Sequence, residues 1–173
     1  MDGNDSTRLF PDLGASPLLS QEIRVRFVNR CCFPIDVFWL SQEREPTKYA
    51  TLKEKQYLDV RTYKNHPWVA RRAVDGCKLQ MNTNPIYWPE PTAHANLIVR
   101  SYCNITLKIQ SLREIACHTL LHETPSEIKE QLLNLPRELQ DEVNKAIDTK
   151  KEYCEVVCRF PTVRAAPPRE EPV

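Results

Sequence analysis

The chain has 173 residues, 41% of them hydrophobic, enough apolar material for one folded domain or two small ones. Its 24 Lys and Arg against 23 Asp and Glu leave a net charge of +1, with no overall field to attract nucleic acid or an anionic membrane surface. The start, MDGNDSTRLF, is polar and acidic where a secretory signal is basic and then apolar, and no eighteen apolar residues run together, so the expectation is a soluble intracellular protein.

Seven cysteines, at 31, 32, 77, 103, 117, 154 and 158, are an odd number at irregular spacing, which points to reduced, mostly buried thiols rather than a disulfide framework. The triplets Asn4-Asp5-Ser6 and Asn104-Ile105-Thr106 then carry no glycosylation meaning.

Residues 1–20 are polar and without periodicity and are expected to form a flexible arm. From Glu22 a period of two sets in: Ile23, Val25 and Phe27 alternate with Arg24 and Arg26, and Phe33, Ile35, Val37 and Trp39 follow suit. The alternation resumes over 57–63, 68–70, 79–81 and 97–99, and most clearly in Ile105, Leu107 and Ile109. Asp75-Gly76 reads as a type I′ hairpin turn. Short strands at this spacing predict an antiparallel β-sandwich over residues 21–110.

After Gln110 the period becomes helical. Ser111-Leu112-Arg113-Glu114 is a capping box, followed by Leu112, Ala116 and Leu120 on one face. Thr124-Pro125-Ser126-Glu127 starts a second helix with Ile128 and Leu132, and Pro136 opens a third with the stripe Leu139, Val143 and Ile147. The fold class predicted is thus a β-sandwich domain followed by a small all-α, three-helix domain at 111–150, with a C-terminal segment over 151–173 whose proline-rich part is without structure from about 161.

Enzyme chemistry finds little footing. Cys117 and His118 are neighbours on a helix and point about 100° apart, which separates a nucleophile from its base. Cys154 and Cys158 have a zinc-like pitch without a second pair, and neither a phosphate-cradling glycine loop nor a nucleophile elbow is present. No metal, cofactor or catalytic residue is expected.

The stretch VRTYKNHPW, residues 60–68, is more informative. On an extended strand Thr62, Lys64, His66 and Trp68 share a face, bringing a hydroxyl, an imidazole and an indole to one wall, with a bend suggested by Asn65 and Pro67. The plainer alternative is a surface loop whose tryptophan packs into the core.

Phe38-Trp39-Leu40, Glu45-Pro46, Tyr49, Thr51-Leu52, Tyr63 and His66-x-Trp68, with Phe27-x-Asn29-Arg30 before them and Asn104-Ile105-Thr106-Leu107 after, resemble the von Hippel-Lindau tumour suppressor family in order and spacing. The resemblance covers about residues 22–145 and is to a divergent, invertebrate-like member. It implies the substrate receptor of a ubiquitin ligase, cytoplasmic and nuclear, that binds 4-hydroxyproline in hypoxia-inducible factor α. By this resemblance Thr62 and His66 bond the substrate hydroxyl, Trp39, Tyr49 and Trp68 wall the proline ring, and Arg61 and Tyr63 contact flanking peptide. Thr62 stands where the family has serine, and Arg61 where it has histidine. Two polar groups facing an unhydroxylated proline are left unpaired at about 1–3 kcal/mol each, a discrimination on the order of 30- to 10⁴-fold.

The helix from Ser111 resembles a BC box, which implies docking on elongin C, with elongin B, through Leu112, Arg113, Ala116, Thr119 and Leu120. Thr124-Pro125-x-x-Ile128-x-x-x-Leu132 resembles a cullin box, implying a cullin with its RING subunit held through Pro125, Ile128 and Leu132. Leu135-Pro136-x-x-Leu139-x-x-x-Val143 resembles one equally. The helical stripes exceed what so small a subdomain can bury, so marginal stability without elongin C is expected. The alternative from another class is a sandwich-based interaction or structural protein whose helices serve packing alone.

Overall fold

The computed structural model describes residues 9–11, 13, 21–41, 46–91, 99–121, 132–160, 162 and 167–170. Among them the chain forms β1 (Glu22–Asn29), β2 (Ile35–Leu40), β3 (Pro46–Leu52), β4 (Gln56–Tyr63), β5 (Trp68–Arg72), β6 (Gln80–Met81) and β7 (Ser101–Thr106). Helices α1 (Leu112–Leu120) and α2 (Arg137–Arg159) and the short β8 (Arg169–Glu170) follow.

The strands make a five-stranded sheet in the order β6-β7-β1-β4-β8 and a three-stranded sheet in the order β3-β2-β5. Ile23, Val25 and Phe27 of β1, with Leu58 and Val60 of β4 and Cys103 and Ile105 of β7, meet Ile35 and Val37 of β2, Leu52 of β3 and Trp68 and Ala70 of β5 in one core. Two sheets therefore close on each other, as the alternation of β1 and β4 predicts. β1 runs antiparallel to β4 and parallel to β7.

β2 is different because both its faces are covered. Phe38 and Leu40 point away from the shared core into a second cluster with Leu9, Val69 and Tyr153, the last from α2. The Tyr153 hydroxyl donates to Asp36, which also receives Lys48 Nζ at 2.8 Å and Thr51 Oγ1 at 2.6 Å. A carboxylate only 1% exposed is thus satisfied by three donors, the condition under which burying it is tolerable.

Several expectations need correcting. Leu9, placed in a flexible arm, is buried, and the fully buried Arg71 donates to its carbonyl. Asp75 and Gly76 are not a type I′ turn: of the two only Gly76 has positive φ, +74°, and its amide bonds back to Arg72 O at 2.9 Å while the Asp75 carboxylate holds Arg72 and the Cys77 amide. The strand expected through Ile109 stops at Thr106, leaving Leu107 and Ile109 exposed, because β7 pairs with β6 only through Thr106. β3, missed by alternation, exists because it pairs with β2 across a bulge at Val37 and Phe38.

In the helical region the capping box at Ser111 and the start after Pro136 are found where expected. The middle helix of the expected three, starting at Thr124 with Ile128 and Leu132, lies outside the described residues except at Leu132. α2 runs nine residues past 150, to Arg159, because Tyr153 and Val157 have the sheet to pack on. The tail expected to be without structure pairs Arg169 with Tyr57 and Glu170 with Gln56 at the edge of β4. No helix among the described residues is long and apolar enough to cross a membrane.

Candidate functional site

β4 and β5 belong to different sheets, and the four residues between Tyr63 and Trp68 bring their ends together. Lys64 and Asn65 turn the chain, Asn65 with φ +64°, and the His66 amide closes on Tyr63 O at 3.1 Å. The expectation that Thr62, His66 and Trp68 share one face of a continuous strand is therefore corrected. They converge because the chain crosses from one sheet to the other, not because of a period of two.

The convergence itself is direct. Trp68 Nε1–H donates to Thr62 Oγ1 at 2.9 Å, a buried bond between the two sheets. One lone pair of the Thr62 oxygen is thereby taken, which leaves its O–H and the other lone pair for a further partner. Trp39, the register partner of Trp68 on β2, stacks on His66 with centroids 5.3 Å apart and planes 11° apart. Tyr63 also meets His66, tilted by 54° with centroids 5.2 Å apart, and Tyr49 of β3 meets Trp68 edge-on at 4.7 Å.

Trp39, Tyr49, Thr62, His66 and Trp68 thus form one connected aromatic group with one hydroxyl, and Tyr63 and Arg61 stand exposed beside it. Trp68 is 1% and Thr62 2% exposed, so the hydroxyl lies below the surface, and His66 near it is half-buried. Burial raises the Tyr49 phenol, which stays protonated at neutral pH. Trp39 Nε1–H is buried with no acceptor among the described residues, a donor for which a bound peptide carbonyl is the natural partner.

α1 divides into two faces. Cys117 is buried against Val143, with Leu120, Leu132 and Ile147 packed around them. On the other side Leu112 is 86% exposed, and Ala116 and Thr119 are exposed with it. Leu120 therefore does not share the face of Leu112 and Ala116: eight residues advance about 80° around a helix, enough to turn it towards α2. Ile109, 93% exposed, and Ile115 add to the outward apolar strip. Arg113 is engaged with Glu142 at 2.7 Å.

Of the cullin-box residues, Pro125 and Ile128 lie outside the described residues, and Leu132 packs against the Cys117 cluster. In the parallel candidate Val143 is 1% exposed and belongs to the same cluster, so it is spent on packing.

Sequence reasoning passed over the joint between the domains. His118 Nδ1 lies 3.4 Å from Asp75 Oδ2, and Asp75 also takes Arg72 Nε at 2.8 Å. The carboxylate and then Cys77 raise His118 to about 9, while burial is outweighed at Asp75 by its bonds from His118 and Arg72, which hold it well below the usual carboxylate range. At 3.4 Å the His118 contact is a charge attraction more than a well-formed hydrogen bond. The Cys117 thiol is raised by burial, which suits the packing role and not a nucleophile. A cleft of about 420 Å³ opens here between α1, α2 and residues 75–78. The signal available in the sequence was Asp75 itself, read only as a turn residue.

Comparison with known proteins points to a β domain of a known family. Residues 16–95, spanning β1 to β6 and every member of the aromatic group, match the family model described as VHL beta domain. Protein Vhl of Drosophila melanogaster is 25% identical over 138 residues, covering 66% of this chain and 78% of that protein. With the two-sheet fold over the matched residues, these similarities support a divergent member of the VHL family, the match resting on the β domain.

Proposed function

We propose that this chain is the substrate-recognition subunit of an elongin-B/C and cullin ubiquitin ligase, binding 4-hydroxyproline in hypoxia-inducible factor α and directing it to proteasomal degradation. It does no bond chemistry itself; the transfer of ubiquitin belongs to its partners. The observation that carries the reading is the Thr62 hydroxyl held by Trp68 beside a His66 stacked on Trp39. Aromatic walls suit a proline ring, which is stiff and loses little entropy on binding.

The hydroxyl of hydroxyproline brings one donor and two lone pairs. Thr62 and His66 can supply both complements, Thr62 with its remaining lone pair or O–H and His66 with a ring N–H. Trp39, Tyr49 and Trp68 line the ring, and Arg61 and Tyr63, both exposed, meet the flanking peptide. On α1 the exposed Leu112 is the anchor for an elongin C groove, with Ala116 and Thr119 beside it. Arg113 and Leu120, engaged with α2, act at its margin. Pro125, Ile128 and Leu132 remain the proposed cullin contact, and the ligase operates in cytoplasm and nucleus.

The test is the affinity of the chain, co-expressed with elongin B/C, for two peptides that differ only in one proline hydroxyl. The expected result is a preference of 30-fold or more for the hydroxylated peptide, on the order of two unpaired polar groups, lost in His66→Ala. Equal binding by a folded protein sinks the proposal and leaves an interaction module of another kind.

A further inference from the structure

The outer face of the five-stranded sheet carries charges that the proline-reading group does not use. Arg24 of β1, Arg61 of β4 and Arg100 beside β7 surround a cleft of about 200 Å³ whose other lining residues are Asp59 and Val60. Asp59 is already spent: Arg26 takes its two oxygens through Nε and Nη2, each at 2.8 Å, and Arg100 reaches one of them at 3.5 Å. Arg26 is further committed to the Tyr57 ring, 3.9 Å from its centroid.

Arg24 and Arg61 are direct cross-strand partners. Like charges opposite one another destabilise a sheet, and no carboxylate among the described residues pairs with either. The Arg24 Nε is moreover buried without an acceptor. A buried, unpaired guanidinium nitrogen is a cost to the free protein that an incoming anion would remove. Two adjacent guanidiniums with fixed backbones suit a carboxylate or a phosphoryl group, which accept such bonds in pairs.

We infer that this cleft binds an anionic side chain, an acidic or a phosphorylated residue, on the same peptide whose hydroxyproline the chain reads. The inference rests on the receptor reading for its choice of a peptide. Arg61 immediately precedes Thr62, and Ile23, next to Arg24, is the register partner of Thr62, so the cleft lies one strand residue from the hydroxyl reader and on the opposite face. Among the described residues β8 pairs with β4 only at Gln56 and Tyr57, so a peptide extended along the rest of that edge would alternate its side chains between the two faces, hydroxyproline towards Thr62 and its neighbour towards the cleft.

The experiment uses the chain co-expressed with elongin B/C and peptides in which the central residue is proline or hydroxyproline and each flanking position in turn is alanine, glutamate or phosphoserine. At low salt one flanking position should tighten binding about 5- to 30-fold with glutamate and more with phosphoserine, the range of one or two charge-assisted bonds. The gain should shrink at high salt and vanish in Arg24→Gln measured against its own alanine-flanked reference. A melting temperature of Arg24→Gln no lower than that of the parent, as removal of a like-charge pair predicts, shows that the variant folds. A hydroxyl preference with no gain from any acidic or phosphorylated flank overturns the anion site and leaves the receptor reading standing. A gain that vanishes in Arg24→Gln with no hydroxyl preference supports the site and sinks the receptor reading; absence of both effects overturns the two together.

Discussion

Thr62 has two duties that a single substitution separates. Thr62→Val keeps the shape and strands the buried Trp68 Nε1–H, so unfolding should shift by about 1–3 kcal/mol, read as a lower urea midpoint at unchanged slope. Thr62→Ser keeps the acceptor and should cost less than about 1 kcal/mol. An unshifted midpoint for the valine variant would remove Thr62 as the tie between the sheets. Gly76 is the second residue where the backbone decides. It sits at φ +74°, and a Cβ there would lie 2.6 Å from the Tyr153 ring. Gly76→Ala should cost about 2–4 kcal/mol, strain and overpacking together, and lower the melting point by roughly 5–15 °C. A melt within 2 °C or so of the parent would contradict the close approach. Neither duty was visible in the chain as letters: Asp75-Gly76 reads as a hairpin because its function as a seat for a helix 77 residues later leaves no local mark.

At the scale of elements, α1 meets the sheet domain through the His118–Asp75 charge contact, packs Cys117 and Leu120 on α2, and presents Leu112 and Ile115 to solvent. Leu112→Asp should leave thermal stability within about 0.5 kcal/mol of the parent, since the side chain is 86% exposed, and should abolish co-purification with elongin C. Lost stability would mean that Leu112 packs at home; retained elongin C would end the docking assignment. The His118–Asp75 contact carries a pH dependence. His118 is raised to about 9 in the fold, so its contribution is full below about 6.5 and fades as pH rises through 9. Asp75 is lowered, so its contribution is present above about 3.9 and fades as pH falls below that. Arg72, Asp75, Cys77 and Glu114 act on His118, and Lys78, Glu142 and Lys145 line the same cleft. The difference in melting point between the parent and His118→Gln should therefore be largest near pH 5–6.5 and shrink towards pH 9.5. A difference constant across that range would show that the histidine acts by packing alone.

For the whole molecule, the helices rest on the sheets through Tyr153, buried between Phe38 and Asp36, and through the His118 contact. The outward strip of Ile109, Leu112 and Ile115 stays open to water. A partner that covers it binds only the folded form and must raise the melting point, so elongin B/C in excess should stabilise the chain by about 3–4 kcal/mol at 100 to 1,000 times its dissociation constant. Equal melts with and without it would contradict the open strip as a docking face.

What the sequence determined by itself was local and periodic. The strands β1 and β4, the capping box at Ser111 and the start after Pro136 each rest on contacts within a few residues or on a repeated period, and those are written in the order of the letters. The members of the aromatic group were legible through their spacing and family resemblance. Their convergence was not, because it depends on two strands belonging to different sheets. The same reason hid β3, β8, the length of α2 and the burial of Leu9: each exists because a distant surface covers it or pairs with it. Which side of α1 is free was likewise decided only when α2 took Cys117 and Leu120, since an apolar stripe states that it will be covered and not by what.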